Sequence, residues 1–77
     1  MARLPRLSGR RIAKVFQYLG WETARHANHI IMVQNDRVES LSIPDHKEVA
    51  VGTLRGLIRT AGLTVTEFEK AVKDSKA

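Results

Sequence analysis

Apolar residues recur at Ile12, Val15, Phe16 and Leu19, the i, i+3, i+4, i+7 spacing that lines one face of a helix. Ser8 stands before this run as an N-cap, and Gly20 follows it as the left-handed residue that ends a helix. Leu7 and Ile12 hold the positions of a hydrophobic staple around the cap. From residue 21 the pattern changes to β-favouring residues, which predicts three short strands over 21–26, 29–34 and 38–43. Ala27 and Asn28 form the tight link between the first two, and Asn35 with Asp36 the turn after the second. Pro44 stops the third strand, because it cannot donate to a ladder. In the second strand His29, Ile31 and Val33 share one face and Ile30, Met32 and Gln34 the other. The alternation alone leaves open which face is buried.

Residues 45–50 read as a polar loop, after which Leu54, Leu57, Ile58 and Ala61 mark a second helical stripe closed by Gly62. Thr64 and Glu67 then have the spacing of a capping box, with Leu63 and Phe68 placed to staple it. A short third helix to about residue 73 is expected, docking Ala71 and Val72 on the core, with the last few residues fraying. The order is helix, three strands, helix, short helix. It predicts an α+β fold with helices on one face of a three-stranded antiparallel sheet, leaving the other face available. The two Phe, Tyr18 and Trp21 fall at or near helix and core positions, so packing is expected of them rather than base stacking.

Length bounds this picture to a single domain over 1–77, with an ordered core of about 7–73. No cysteine is present, which excludes a disulfide-stapled scaffold and every thiolate zinc finger. The longest apolar run, 30–33, is far short of the roughly 20 residues that span a bilayer. Residues 1–5 lack a signal-peptide stretch, so a cytoplasmic location is expected.

Charge changes the picture more. Thirteen Lys and Arg against eight Asp and Glu give +5. Arg3, Arg6, Arg10, Arg11 and Lys14 supply five of those cations within fourteen residues that contain no acid, so the rest of the chain is neutral. Such a segment suits phosphates or an acidic partner protein, and charge does not separate the two. Arg10 and Arg11 oppose the helix dipole at its positive end, a small cost that hints at a use. On the second helix Arg55 and Arg59 lie four apart beside Thr53 and Thr60, an edge that can hold phosphates or be a solvated face.

The candidates for proton chemistry are three histidines, since imidazole titrates near neutrality. His29 opens the second strand beside the tight turn, where a rigid element holds the ring with its edge accessible; an ordinary exposed strand histidine has the same placement. His26 ends the first strand and His46 lies in a loop. A metal site from His26, His29, His46 and Asp45 is not expected, because no pair has the i, i+4 helical spacing of a metalloprotease. No Gly-x-Ser-x-Gly elbow, Gly-x-Gly-x-x-Gly run or Walker-type loop occurs, so no nucleotide cofactor is expected.

Several local runs belong together: Leu4-Pro5 and Ser8-Gly9 before a helix ending in Leu19-Gly20-Trp21, residues 25–32 around a histidine, and Ser42-Ile43-Pro44. Val51-Gly52-Thr53-Leu54-Arg55, leading through Ile58-Arg59 into Ala61-Gly62-Leu63-Thr64, is the most specific. With these the stretch 8–68 resembles the HicA family of bacterial toxins, small ribonucleases that cut messenger RNA. There the segment is typically Gly-Thr-Leu-Arg, a few residues, then Ala-Gly-Leu. The resemblance implies an α-β-β-β-α fold like that of double-stranded-RNA-binding domains. It also implies a catalytic histidine closing a Gly-Ser-His or Gly-Gly-His motif at the start of the second strand. That histidine aligns with His29, within Ala27-Asn28-His29 in this chain. Alanine in place of the turn glycine disfavours positive φ, whereas Asn28 tolerates it and still hydrogen-bonds.

Without metal, RNA is cut most simply by attack of its own 2′-hydroxyl on the adjacent phosphorus, with a general acid and base managing protons. His29 suits one role, worth about 10² to 10⁴ in rate. His26 is a candidate for the other. Arg10, Arg11, Lys14, Arg25, Asn28, Arg55 and Arg59 are the expected RNA contacts. The expected partners are thus mRNA and, by the resemblance, a HicB-type antitoxin that blocks the active site, with no cofactor and no membrane. The alternatives are a non-catalytic RNA-binding module of the same fold and a protein-interaction subunit using the basic first helix.

Overall fold

A computed structural model describes residues 4–75. Arg3 of the basic segment and residues 76–77, where fraying was expected, lie outside them. The elements run α1 (Gly9–Tyr18), β1 (Glu22–His26), β2 (His29–Val33), β3 (Leu41–Pro44), α2 (Val51–Thr60) and α3 (Val65–Ser75). The strands form one antiparallel sheet in the order β1-β2-β3, consistent with the expected α+β, double-stranded-RNA-binding-domain-like architecture.

Helix α1 starts where Ser8 Oγ accepts from the Arg11 N–H at 3.2 Å and ends at Gly20, whose φ is 99°. Its apolar stripe, Ile12, Val15 and Phe16, is buried, and the helix lies across all three strands. Gly9 permits this approach. A Cβ there would collide with the Pro44 carbonyl oxygen, and the Gly9 N–H donates to the His46 carbonyl at 2.9 Å. Helix α2 packs on β3 and buries Leu54, Leu57 and Ile58. The capping box forms as the spacing predicts: the Glu67 N–H donates to Thr64 Oγ1 at 3.1 Å and the Thr64 N–H to Glu67 Oε1 at 2.8 Å.

The sheet face left open by its alternation is settled by burial. Ile30 and Met32 of β2 and Leu41 and Ile43 of β3 point under the helices, while His29, Val33 and Ser42 are exposed on the other side. The core is a continuous cluster in which Phe16 meets Trp21 edge to face at 6.2 Å and Phe68 at 5.3 Å.

Two expectations are corrected. Strand β3 begins at Leu41 rather than at residue 38, because its pairing with β2 begins at Met32↔Leu41. The segment before it is held by Arg37 instead. Arg37 donates to the Thr60 carbonyl at 2.8 Å, covering the negative end of α2, pairs with Glu39 at 3.0 Å and lies over Trp21 at 5.6 Å. Val38 is fully exposed. Helix α3 forms as expected, running two residues further to Ser75; it reaches the core through α1 and α2, burying Phe68 and Ala71 with Val72 packed beside them. Tyr18 is not a packing residue, being 56% exposed at the end of α1.

Candidate active site and nucleic-acid interface

The two histidines of the first hairpin lie on opposite faces of the sheet. Register pairs His26 with Ile30, which points under the helices, so His26 shares that side. His29, one residue along, is exposed on the open face, where Arg25 pairs with Ile31. Between them the Ala27 N–H donates to the His29 carbonyl at 3.0 Å. Neither Ala27 nor Asn28 takes a positive φ; among the described non-glycine residues Asp36 alone does, at 69°. Alanine therefore stands in the turn without the strain expected of a replaced glycine. The His29 ring has no hydrogen bond or ion pair among the described residues.

His26 by contrast is held. Its Nε2 lies 2.9 Å from Asp45 Oδ2, and the other carboxylate oxygen of Asp45 accepts from Arg10 Nε at 3.3 Å. The Asp45 N–H also donates to the Asn28 carbonyl at 3.3 Å. One residue just after β3 thus joins the end of β1, the hairpin turn and the first turn of α1. The hydrogen bond with His26 and then that with Arg10 hold the Asp45 carboxyl below its ordinary value of 3.8, against the opposing effect of its partial desolvation.

Beside this junction a groove of about 220 Å³ separates α1 from β1, lined by Arg10, Lys14, Gln17, Thr23, His26 and apolar Ala13 and Ile30. Arg10, Lys14 and Gln17 recur at i, i+4 and i+7 and form one stripe of the helix. Gln17 Nε2 donates to Thr23 Oγ1 across the groove at 3.3 Å. A second recess, between α2 and the start of α3, is lined by Arg55, Arg59, Ile58, Leu63 and Val65. The hydroxyl of Thr60 beside it is occupied, donating to the Gly56 carbonyl at 3.0 Å.

The expected contact residues therefore divide among three surfaces. Arg25 accompanies His29 on the open sheet face, with Asn28 at the turn; Arg10 and Lys14 accompany His26 in the α1–β1 groove; Arg55 and Arg59 stand apart on α2. Arg11 is exposed on α1 outside the groove lining. Gln17 and Thr23 were not foreseen as site residues, and Asp45 was considered only within the metal set that was not expected. Only the strand register, which brings Asp45 next to His26 from nineteen positions away, reveals that pairing. Among the described residues no group of three or more His, Asp or Glu side chains is arranged to hold a metal ion, and no helix is long and apolar enough to cross a membrane.

A three-stranded antiparallel sheet covered on one face by helices, with an exposed imidazole at the head of its middle strand, defines a small basic α+β protein. The family model for the HicA toxin of bacterial toxin-antitoxin systems matches residues 9–63, from the start of α1 to just before α3. The chain belongs to that family and is a toxin whose counterpart is an antitoxin. Comparison with the curated proteins and with the solved structures gives no match.

Proposed function

We propose that this toxin is an mRNA endoribonuclease that works without a metal ion and is blocked by a HicB-type antitoxin. In this reading the RNA 2′-hydroxyl attacks the adjacent phosphorus while His29 serves as general acid or base. Its products are a 2′,3′-cyclic phosphate and a free 5′-hydroxyl. The observation that carries the reading is the placement of His29: exposed at the head of β2, ring unengaged among the described residues, with Arg25 on the same face. An unengaged imidazole on a rigid strand is free to take or give a proton, and a nearby guanidinium counters the charge that builds on the phosphate. Arg10, Arg11, Lys14, Asn28, Arg55 and Arg59 are the further candidates for holding the strand, chiefly through phosphates, so binding should weaken as salt rises. The same basic surface suits acidic side chains of the antitoxin.

The test is cleavage of single-stranded RNA by the purified protein in the presence of chelator. The His29→Ala variant should remain folded by circular dichroism and lose at least about 10²-fold in rate. Equal rates for the two proteins would remove His29 from the mechanism. Salt-sensitive binding with no cleavage by either would instead make the protein a non-catalytic RNA-binding module.

A further inference from the structure

The α1–β1 groove has a composition that cleavage at His29 does not require. It brings two permanent cations, Arg10 and Lys14, two neutral hydrogen-bonding side chains, Gln17 and Thr23, and an imidazole into one concave strip. Asp45 contacts His26 and Arg10 and lines the neighbouring recess with Ser8, Arg10, His46 and Lys47 rather than the groove itself. We propose that this groove is a subsite for one phosphodiester of a single RNA strand, held by Arg10, Lys14 and His26. This rests on the ribonuclease reading for its biological ligand, though not for its test.

The chemistry of the ring makes the proposal specific. With Nε2–H donated to Asp45, a ligand meets Nδ1, which makes no hydrogen bond among the described residues. A phosphate oxygen there is an acceptor and needs a donor, so binding draws a proton onto Nδ1 and leaves an imidazolium bridging Asp45 and the phosphate. The groups facing His26 are Asp45 from the loop after β3, Arg10 and Lys14 from α1, and the neutral Gln17, Thr23 and Ile30. Binding is therefore accompanied by proton uptake and tightens as pH falls.

Topology then sets the path of the strand. His29 and the groove are on opposite faces, and β1, with all five residues exposed, is an edge strand. A chain reaching both crosses the free edge of β1 near the hairpin turn. A single strand bends that sharply, whereas a duplex, stiff over about 150 base pairs in the DNA case, does not.

A short single-stranded deoxyoligonucleotide is the appropriate probe, because it carries phosphates without the 2′-hydroxyl and is not consumed. Titrated into the full chain and followed by NMR, it should shift the His26 ring and the Lys14, Gln17 and Thr23 amides. Calorimetry in two buffers of different ionisation heat should show protons taken up. Lys14→Gln should reduce the slope of log affinity against log salt by about 0.7, and His26→Gln should abolish the proton uptake. Shifts confined to Arg55 and Arg59, or proton uptake unchanged in His26→Gln, would overturn the subsite. So would a salt slope unchanged in Lys14→Gln, a variant that alters an exposed helix position and should fold. Loss of cleavage in His29→Ala alongside such a result would leave the ribonuclease reading standing. Groove shifts and proton uptake in a protein that cuts no RNA would support the subsite and remove that reading.

Discussion

Asp45 is only partly exposed, yet its carboxylate serves His26 and Arg10 while its amide serves the Asn28 carbonyl. Its carboxyl titrates below the ordinary value in the folded state because both partners favour the anion. A group lowered in this way contributes stability that is complete above its unfolded value and is lost as pH falls through the folded one. Asp45→Asn should therefore unfold at lower urea than the parent at neutral pH. The gap should close in acid, below the ordinary value of 3.8, and a gap that stays constant with pH would show the ion pairs to be inert. Residues of this kind are the least legible in a sequence. His29 was visible because a motif marked its place, but nothing local to Asp45 announces a partner nineteen positions earlier. The junction exists only once the strands are in register.

At the scale of elements, legibility follows how local the forces are. The Ser8 cap, the glycine at the end of α1 and the Thr64–Glu67 box depend on residues within one helical turn, and all form where spacing puts them. Thr64→Ala removes a cap and orphans one partner of a reciprocal pair. It should cost about 0.5–2 kcal/mol, measured by urea unfolding, with loss of far-UV helix signal confined to α3. Elements whose limits depend on distant partners were harder to place. Residues 38–40 have β-favouring company, yet Arg37 engages the Thr60 carbonyl and Trp21, contacts that no local pattern encodes. Tyr18 was misplaced for the opposite reason: it follows the apolar stripe in sequence but lies off it in angle, 200° from Phe16 at about 100° per residue.

For the molecule as a whole, 77 residues at about 0.05–0.15 kcal/mol each imply a total stability of roughly 4–12 kcal/mol. Phe16, fully buried between Trp21 and Phe68, joins sheet, α1 and α3. Truncation to Ala should cost about 3–5 kcal/mol, a large share of that total, and its melting curve should shift to the edge of the working range or lose its native baseline. The charge excess belongs to this scale too. In composition it was one number; on the folded surface the candidate contact cations separate into Arg25 on the face of His29, Arg10 and Lys14 beside His26, and a pair on α2. Gly9 bears on how these surfaces can change. Because α1 meets the end of β3 there backbone to backbone, with no room for even a methyl group, the seat of the helix N-terminus on the sheet is set by main chain and not by the residues that line the groove. Exchanging Arg10 or Lys14 alters what the groove recognises without touching that contact. A toxin built this way can drift in preference for one ligand over another through single substitutions, without renegotiating its fold at each step.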